Sequence, residues 1–229
     1  MDKNTLRQYT SLVNFLGETL GPDYEVALHD IQSDSKSIVA IANGHISGRS
    51  VGAPMTNLGL EIIANKEYMS NDYKINYNGV SKDQRLLRSS TFFIKNDSEE
   101  LIGMLCINFD DSRYTEISDK ILQLCHPDKL IEQNSRYNSV DSMVEDSSET
   151  FSESIEEVTD TVLNKVLMDT NIPVDRLTQE ERLQIVAILD QKGVFMLKGA
   201  VSTVANKLSC SEPSIYRYLA KINKKNNSI

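Results

Sequence analysis

The chain has 229 residues and a formal net charge of −9, with 40% apolar and 25% charged residues. Such a chain has material for one or two ordinary domains with a real core, which excludes disorder throughout. No uncharged apolar run approaches the ~18 residues of a membrane span. The opening residues lack the basic patch and apolar run of an export signal. Three cysteines (Cys106, Cys125, Cys210) stand far apart, which argues against a disulfide framework or a zinc site. The cytoplasm is the expected location, with no metal and no resident cofactor.

The charge is uneven. Residues 172–229 hold nine Lys and Arg against five acids, a local +4, leaving −13 on the rest. A basic end on an acidic body points to a polyanion partner for that end.

Residues 3–20 read as a helix, with Leu6, Tyr9, Val13, Leu16 and Leu20 on one stripe and Gly21-Pro22 stopping it. The stripe fits contact with its own domain and a dimer seam equally well. Residues 24–31 and 37–42 are strand-like, and Asn43-Gly44 is a turn signal. The stretch 44–52 carries three glycines and must be irregular. A short helix at 56–65 precedes strands at about 73–79, 86–95 and 101–109, the last two joined by a hairpin loop at 96–100. Helical spacing returns at 113–125 (Ile117, Ile121, Leu124). This order describes an α+β domain on an antiparallel sheet.

Residues 132–154 are rich in serine, acids and asparagine, and 139–160 holds eight acids and no base. The first part reads as a solvated linker. An acidic helix then begins near Phe151 (Ile155, Val158, Val162, Val166) and ends at Pro173.

The C-terminal stretch is the most informative. Thr178 and Glu181 have capping-box spacing at the start of a helix that carries Leu183, Val186 and Leu189 inward and stops at Gly193. A second helix at about 199–208 places Val201, Val204, Ala205 and Leu208 on one face, and small Ala205 lets another helix cross closely. Ser209-Cys210-Ser211 forms a three-residue turn. Ser211 is a good N-cap and Pro213 is tolerated in the first turn of a third helix, about 212–224. Its inward residues are Ile215, Tyr218, Leu219 and Ile222.

This pattern resembles the helix-turn-helix DNA-binding motifs, with Ser209 standing where that family often has glycine. The opposite face of the third helix then carries the candidate contacts. Arg217 suits a guanine edge because its fork matches O6 and N7. Ser211 and Ser214 suit phosphate or a base edge, Tyr216 suits sugar-phosphate, and Lys221, Lys224 and Lys225 suit phosphates. Pro213 lies on the same face. A plain three-helix bundle with a solvated basic face is the alternative, and the turn, caps, Ala205 and local charge together favour DNA.

The strings 20–31, 37–52, 86–95 and 102–110 are similar to the YheO-like PAS domains of bacterial transcriptional regulators, over residues 5–125. The same regulators resemble the C-terminal motif at 177–222, and the acidic linker lies outside the likeness. The resemblance implies a five-stranded antiparallel PAS sheet with flanking helices, serving as a sensor or a dimerisation module. It names no ligand. Candidate pocket residues are His29, Asn43, Arg49, Cys106 and Asn108. Arg49 could hold a small anionic or zwitterionic effector that Asn108 orients. Each has a plainer structural role open to it as well.

The expected organisation is a PAS-like domain at 1–131, an acidic Ser-rich linker with a short helix at 132–171, and an all-α helix-turn-helix domain at 172–229. The expected function is transcriptional regulation by a homodimer on double-stranded DNA, with a small-molecule effector and no membrane. The dimer would meet through the N-terminal and 113–125 helices. An alternative is a redox- or haem-responsive regulator using Cys106 and His29, with Cys125, His45 and His126 as further candidates. A cysteine-dependent enzyme is less favoured, because no nucleophile elbow, phosphate loop or metalloprotease motif is present.

Overall fold

A computed structural model describes residues 1–32, 37–125, 149–170 and 174–226. Helix α1 (Lys3–Leu20) starts where the Asp2 carboxylate accepts from the backbone N–H groups of Asn4 and Thr5, satisfying two of the free donors at a helix start. Strands β1 (Tyr24–Asp30) and β2 (Ile38–Ala42) follow, then helix α2 (Asn57–Ala64) capped by Thr56. Strands β3 (Tyr73–Val80), β4 (Leu86–Lys95) and β5 (Leu101–Asp110) complete the antiparallel set, and helix α3 (Ser112–Cys125) closes the first domain.

The sheet runs β2-β1-β5-β4-β3-β6. Five strands are the antiparallel set anticipated from sequence. The sixth, β6 (Glu149–Thr150), pairs parallel with β3 at Gly79 and Val80. It comes from the acidic stretch read as linker. Most of that stretch (132–148) lies outside the described residues, as do 126–131 with His126 and 171–173 with Pro173.

Side chains alternate across a strand, so the sheet has two distinct faces. Val26, Leu28, Leu105 and Ile94 pack with Val13 of α1, while Leu6, Tyr9 and Leu16 cover their edge. The apolar stripe of α1, apart from exposed Leu20, is thus spent on its own sheet. Ala27, Phe93, Met104 and Cys106 point the other way, into a core shared with α2 (Leu58, Leu60, Ile62).

That core continues into the C-terminal bundle. Helices α4 (Ile155–Thr170), α5 (Gln179–Gln191), α6 (Ala200–Lys207) and α7 (Glu212–Asn226) bury Val158, Val162, Leu163, Ile185, Leu189, Val204, Ala205 and Ile215 together. Each large aliphatic side chain so buried contributes about 1.5–3 kcal/mol. The capping box forms as its spacing suggests: the Glu181 N–H donates to Thr178 Oγ1 (3.3 Å) and the Thr178 N–H to Glu181 Oε2 (2.7 Å). Gly193, at φ +73°, presses against α2, where a Cβ would stand 2.8 Å from the Leu60 carbonyl oxygen. Beside it Lys192 pairs with Glu61 at 2.8 Å. No helix among the described residues is long and apolar enough to cross a membrane.

Candidate functional site: the outer face of α7 and a buried polar row

Helix α7 is set against α6 by a tight turn. The Cys210 N–H donates to the Ala205 carbonyl at 3.0 Å, and Ser209 sits at φ +50°. A side chain in that left-handed region costs roughly 1–2 kcal/mol relative to ordinary backbone, which accounts for the glycine often found at this position of the motif. Ala205 is buried at the crossing, and Ile215 and Tyr218 point inward.

The opposite face is open. Ser211, Pro213, Tyr216, Arg217 and Lys221 are exposed and Ser214 is half-buried. Arg217 Nη2 donates to Ser214 Oγ at 3.1 Å, and Ser214 Oγ lies 3.0 Å from Ser211 Oγ. The three side chains make one polar line along the helix with the guanidinium at its end. Lys224 lies on α7, but its side chain is outside the described residues. The first domain meets the bundle elsewhere, at Lys192 and Gly193, which leaves this face clear. An exposed helix flank with a steadied guanidinium, serines at its start and a lysine one turn on can enter a major groove.

The second feature lies inside the first domain. Glu25, Asn108, Ser89 and Tyr77 are successive cross-strand partners on β1, β5, β4 and β3, forming a polar row on the core side of the sheet. Asn108 Nδ2 donates to Glu25 Oε1 at 2.8 Å, and Arg49 Nη2 donates to the same oxygen at 3.3 Å. Ser47 donates to the other Glu25 oxygen through its hydroxyl (2.5 Å) and its N–H (3.2 Å). Arg49 and Glu25 are both buried, and the Arg49 guanidinium lies 4.6 Å over the Phe151 ring. The glycine-rich loop that delivers Ser47 and Arg49 is tied down by Arg85, which donates to the Ile46 carbonyl and pairs with Asp110.

Glu149, on β6, closes the row from the other end. Its Oε1 accepts from the Thr56 hydroxyl at 2.7 Å. Burial raises its carboxyl above the ordinary glutamate value, although Arg49, Thr56 and the Tyr77 hydroxyl favour the charged form. Gly79, across from Glu149, leaves room for Phe151: a Cβ there would meet its ring at 2.8 Å and Ser89 Oγ at 2.7 Å.

The structure therefore brings Arg49 and Asn108 together, with Cys106 in the next row, where it pairs with Ala27 and Thr91. His29 is one row further along, bonded to Ser37 Oγ at 2.7 Å. Asn43 is elsewhere, its amide donating to the carbonyls of Gly17, Gly21 and Tyr24. Glu25, Ser47, Ser89 and Glu149 were not foreseen. Glu25 had a signal, a charged residue directly before the apolar run Val26-Ala27-Leu28. Glu149 had none, being one acid in a run of acids.

Cys106 and His29 are each bonded away from the other. The Cys106 sulfur lies 3.2 Å from Thr91 Oγ1, and burial pushes its thiol up to about 12. Burial, then the charge of Arg49, pushes the His29 imidazole down to about 3. A protonated thiol and a neutral imidazole in these positions make a packed interior rather than a nucleophile and its base. Cys125 is exposed on α3, and His45 is exposed in the loop.

Comparison with known proteins agrees with both halves. A family model described as a YheO-like PAS domain matches residues 1–126, and one described as an HTH domain matches 158–220. An uncharacterized protein of Haemophilus influenzae is 28% identical over 96% of this chain and 92% of its own. The uncharacterized protein YheO of Escherichia coli strain K12 is 28% identical over 95% of this chain and 85% of its own. The transcriptional regulator DauR of Pseudomonas aeruginosa is 24% identical over 95% of this chain and 94% of its own. This chain belongs to the YheO-like PAS family and joins that domain to a C-terminal helix-turn-helix domain.

Proposed function

We propose that the chain is a cytoplasmic transcriptional regulator rather than an enzyme, binding double-stranded DNA as a homodimer through the outer face of α7. Its PAS-like domain senses a small molecule or pairs the subunits. The observation that carries this reading is the open line Ser211–Ser214–Arg217 on a helix-turn-helix whose inner face is packed. The relative named a transcriptional regulator, similar along nearly the whole chain, supports it.

The division of labour follows the sequence: sensor at 1–131, reading head at 172–229, and 132–171 joining them and lending α4 to the bundle. The α3 helix supports the dimer. Tyr114, Ile117, Ile121 and Leu124 form an apolar stripe on it, each more than half exposed, with no buried residue on the helix. Such a stripe on a surface helix is a natural subunit contact, and Phe15 of α1 is a further exposed apolar side chain, 62% accessible. Two subunits would offer two copies of α7 to half-sites about one helical turn, roughly 34 Å, apart.

The test is selection of bound duplexes from a random library, followed by footprinting at low ionic strength. A pseudo-palindrome with that spacing is expected. Failure to enrich any sequence, with no measurable grip on DNA in low salt, ends this reading.

A further inference from the structure

Buried polar atoms in folded proteins are nearly all hydrogen-bonded. Among the described residues six buried side-chain atoms have no partner, and four of them belong to the polar row: Arg49 Nη1, Asn108 Oδ1, Ser89 Oγ and Glu149 Oε2. Their residues are each at most 4% exposed. Every other polar atom named in the row is bonded, so the four left over define a complement. Arg49 Nη1 donates only and calls for an acceptor. Asn108 Oδ1 and Glu149 Oε2 accept and call for donors, while Ser89 serves either way. The guanidinium is ion-paired with Glu25, whereas Glu149 accepts from Thr56 and has no ion pair among the described residues. An ammonium at its free oxygen would supply the missing donor and offset the burial that raises its carboxyl.

Resting on the regulator reading above, we propose that this row is an effector site for a small zwitterion. A carboxylate lies against Arg49 Nη1 and an ammonium between Asn108 Oδ1 and Glu149 Oε2. The site is made by both parts of the molecule. Arg49, Asn108 and Ser89 belong to the first domain, whereas Glu149 and Phe151 belong to the segment that runs into α4. Occupancy is thereby felt directly by the chain entering the DNA-binding bundle. The strand that carries Glu149 is seated by two ladder positions on β3, the Thr56 bond and the Thr150 N–H donating to Asn57 Oδ1 at 2.7 Å, with Phe151 buried beside it against Ile46 and Leu87. A ligand that bonds Glu149 competes with or reinforces that seating, and either moves the equilibrium of the strand.

The experiment is calorimetric titration of the full chain with a panel of α-amino acids, each run beside the acid lacking its amino group and the amine lacking its carboxylate. Saturable binding of at least one amino acid is expected, with both truncated partners at least about tenfold weaker. Glu149→Gln, checked for folding by circular dichroism, should weaken that binding at least about tenfold, and Ser89→Ala, a smaller change, should weaken it measurably. The proposal falls if no amino acid binds up to about 10 mM, if an acid or amine alone binds as well, or if both variants bind like the parent. Operator binding by the unliganded parent is measured in parallel. Its loss would fell the regulator reading, whereas its persistence without zwitterion binding fells only this one.

Discussion

Replacing Arg217 by alanine separates the two roles a surface arginine can have. In the free protein its guanidinium donates one bond to the half-buried Ser214 Oγ, and the arginine itself is exposed. Water replaces that bond, so the change in folding stability should stay within about 0.5 kcal/mol. On DNA the loss is larger. A two-pronged contact to a guanine edge discriminates by about 1–3 kcal/mol, which is about 5- to 150-fold in Kd. Arg217→Lys keeps the charge and loses the fork, so it should behave like alanine at the base and like the parent towards salt. The assay is fluorescence anisotropy on the selected operator and on a copy altered at one base pair per half-site, at fixed ionic strength, with thermal denaturation alongside. Parent-like affinity and selectivity in Arg217→Ala would refute the placement of α7 in the groove. Weaker binding equal on both duplexes would reassign Arg217 to the phosphates.

Four further outcomes are expected. Lys221→Ala should lower affinity alike for all sequences and reduce the slope of log K against log salt by about 0.9, measured by titration at several salt concentrations. Ser209→Gly removes a Cβ from backbone at φ +50° and should stabilise by about 0.5–1 kcal/mol, a rise of about 1–4 °C in Tm by calorimetry. His29 should make the fold acid-sensitive. Its folded pKa, about 3, lies below the unfolded 6.5, so its contribution is full above pH 6.5 and is lost as the pH falls from there towards 3. Denaturant unfolding of His29→Gln between those limits should show a slope shallower than the parent's by up to about 1.4 kcal/mol per pH unit. Finally, a thiol reagent at neutral pH should label exposed Cys125 quickly and leave Cys106 unreacted until the protein unfolds, as mass spectrometry of timed samples would show.

The elements that could be read from the sequence are those whose signal is local. The helix at 3–20, the five strands and the capping box at Thr178 and Glu181 each rest on spacing within a few residues, and each is present. The place of the turn at Ser209 was equally legible, whereas its positive φ is seen only in the structure. What stayed hidden depends on contacts between distant parts of the chain. The Thr56–Glu149 bond spans 93 residues, and β6 is a two-residue strand inside an acidic run whose composition suggests solvent. The stripe on α3 was visible as a pattern, but a pattern carries no information on whether a helix meets its own sheet, as α1 does, or stays bare. Asn43 illustrates the reverse case. Its residue type suited a pocket, while the backbone around α1 offered its amide three carbonyls.

The close seating of Gly193 on Leu60, with the Lys192–Glu61 pair beside it, has a consequence for modularity. Any residue larger than glycine at 193 would pry the two halves apart along a seam where buried apolar side chains from both join one core. The halves are therefore not interchangeable beads on a string. Transplanting the reading head onto another receptor, or the receptor onto another head, would bare the flank of α2 and leave each piece short of the apolar cover it now borrows from the other.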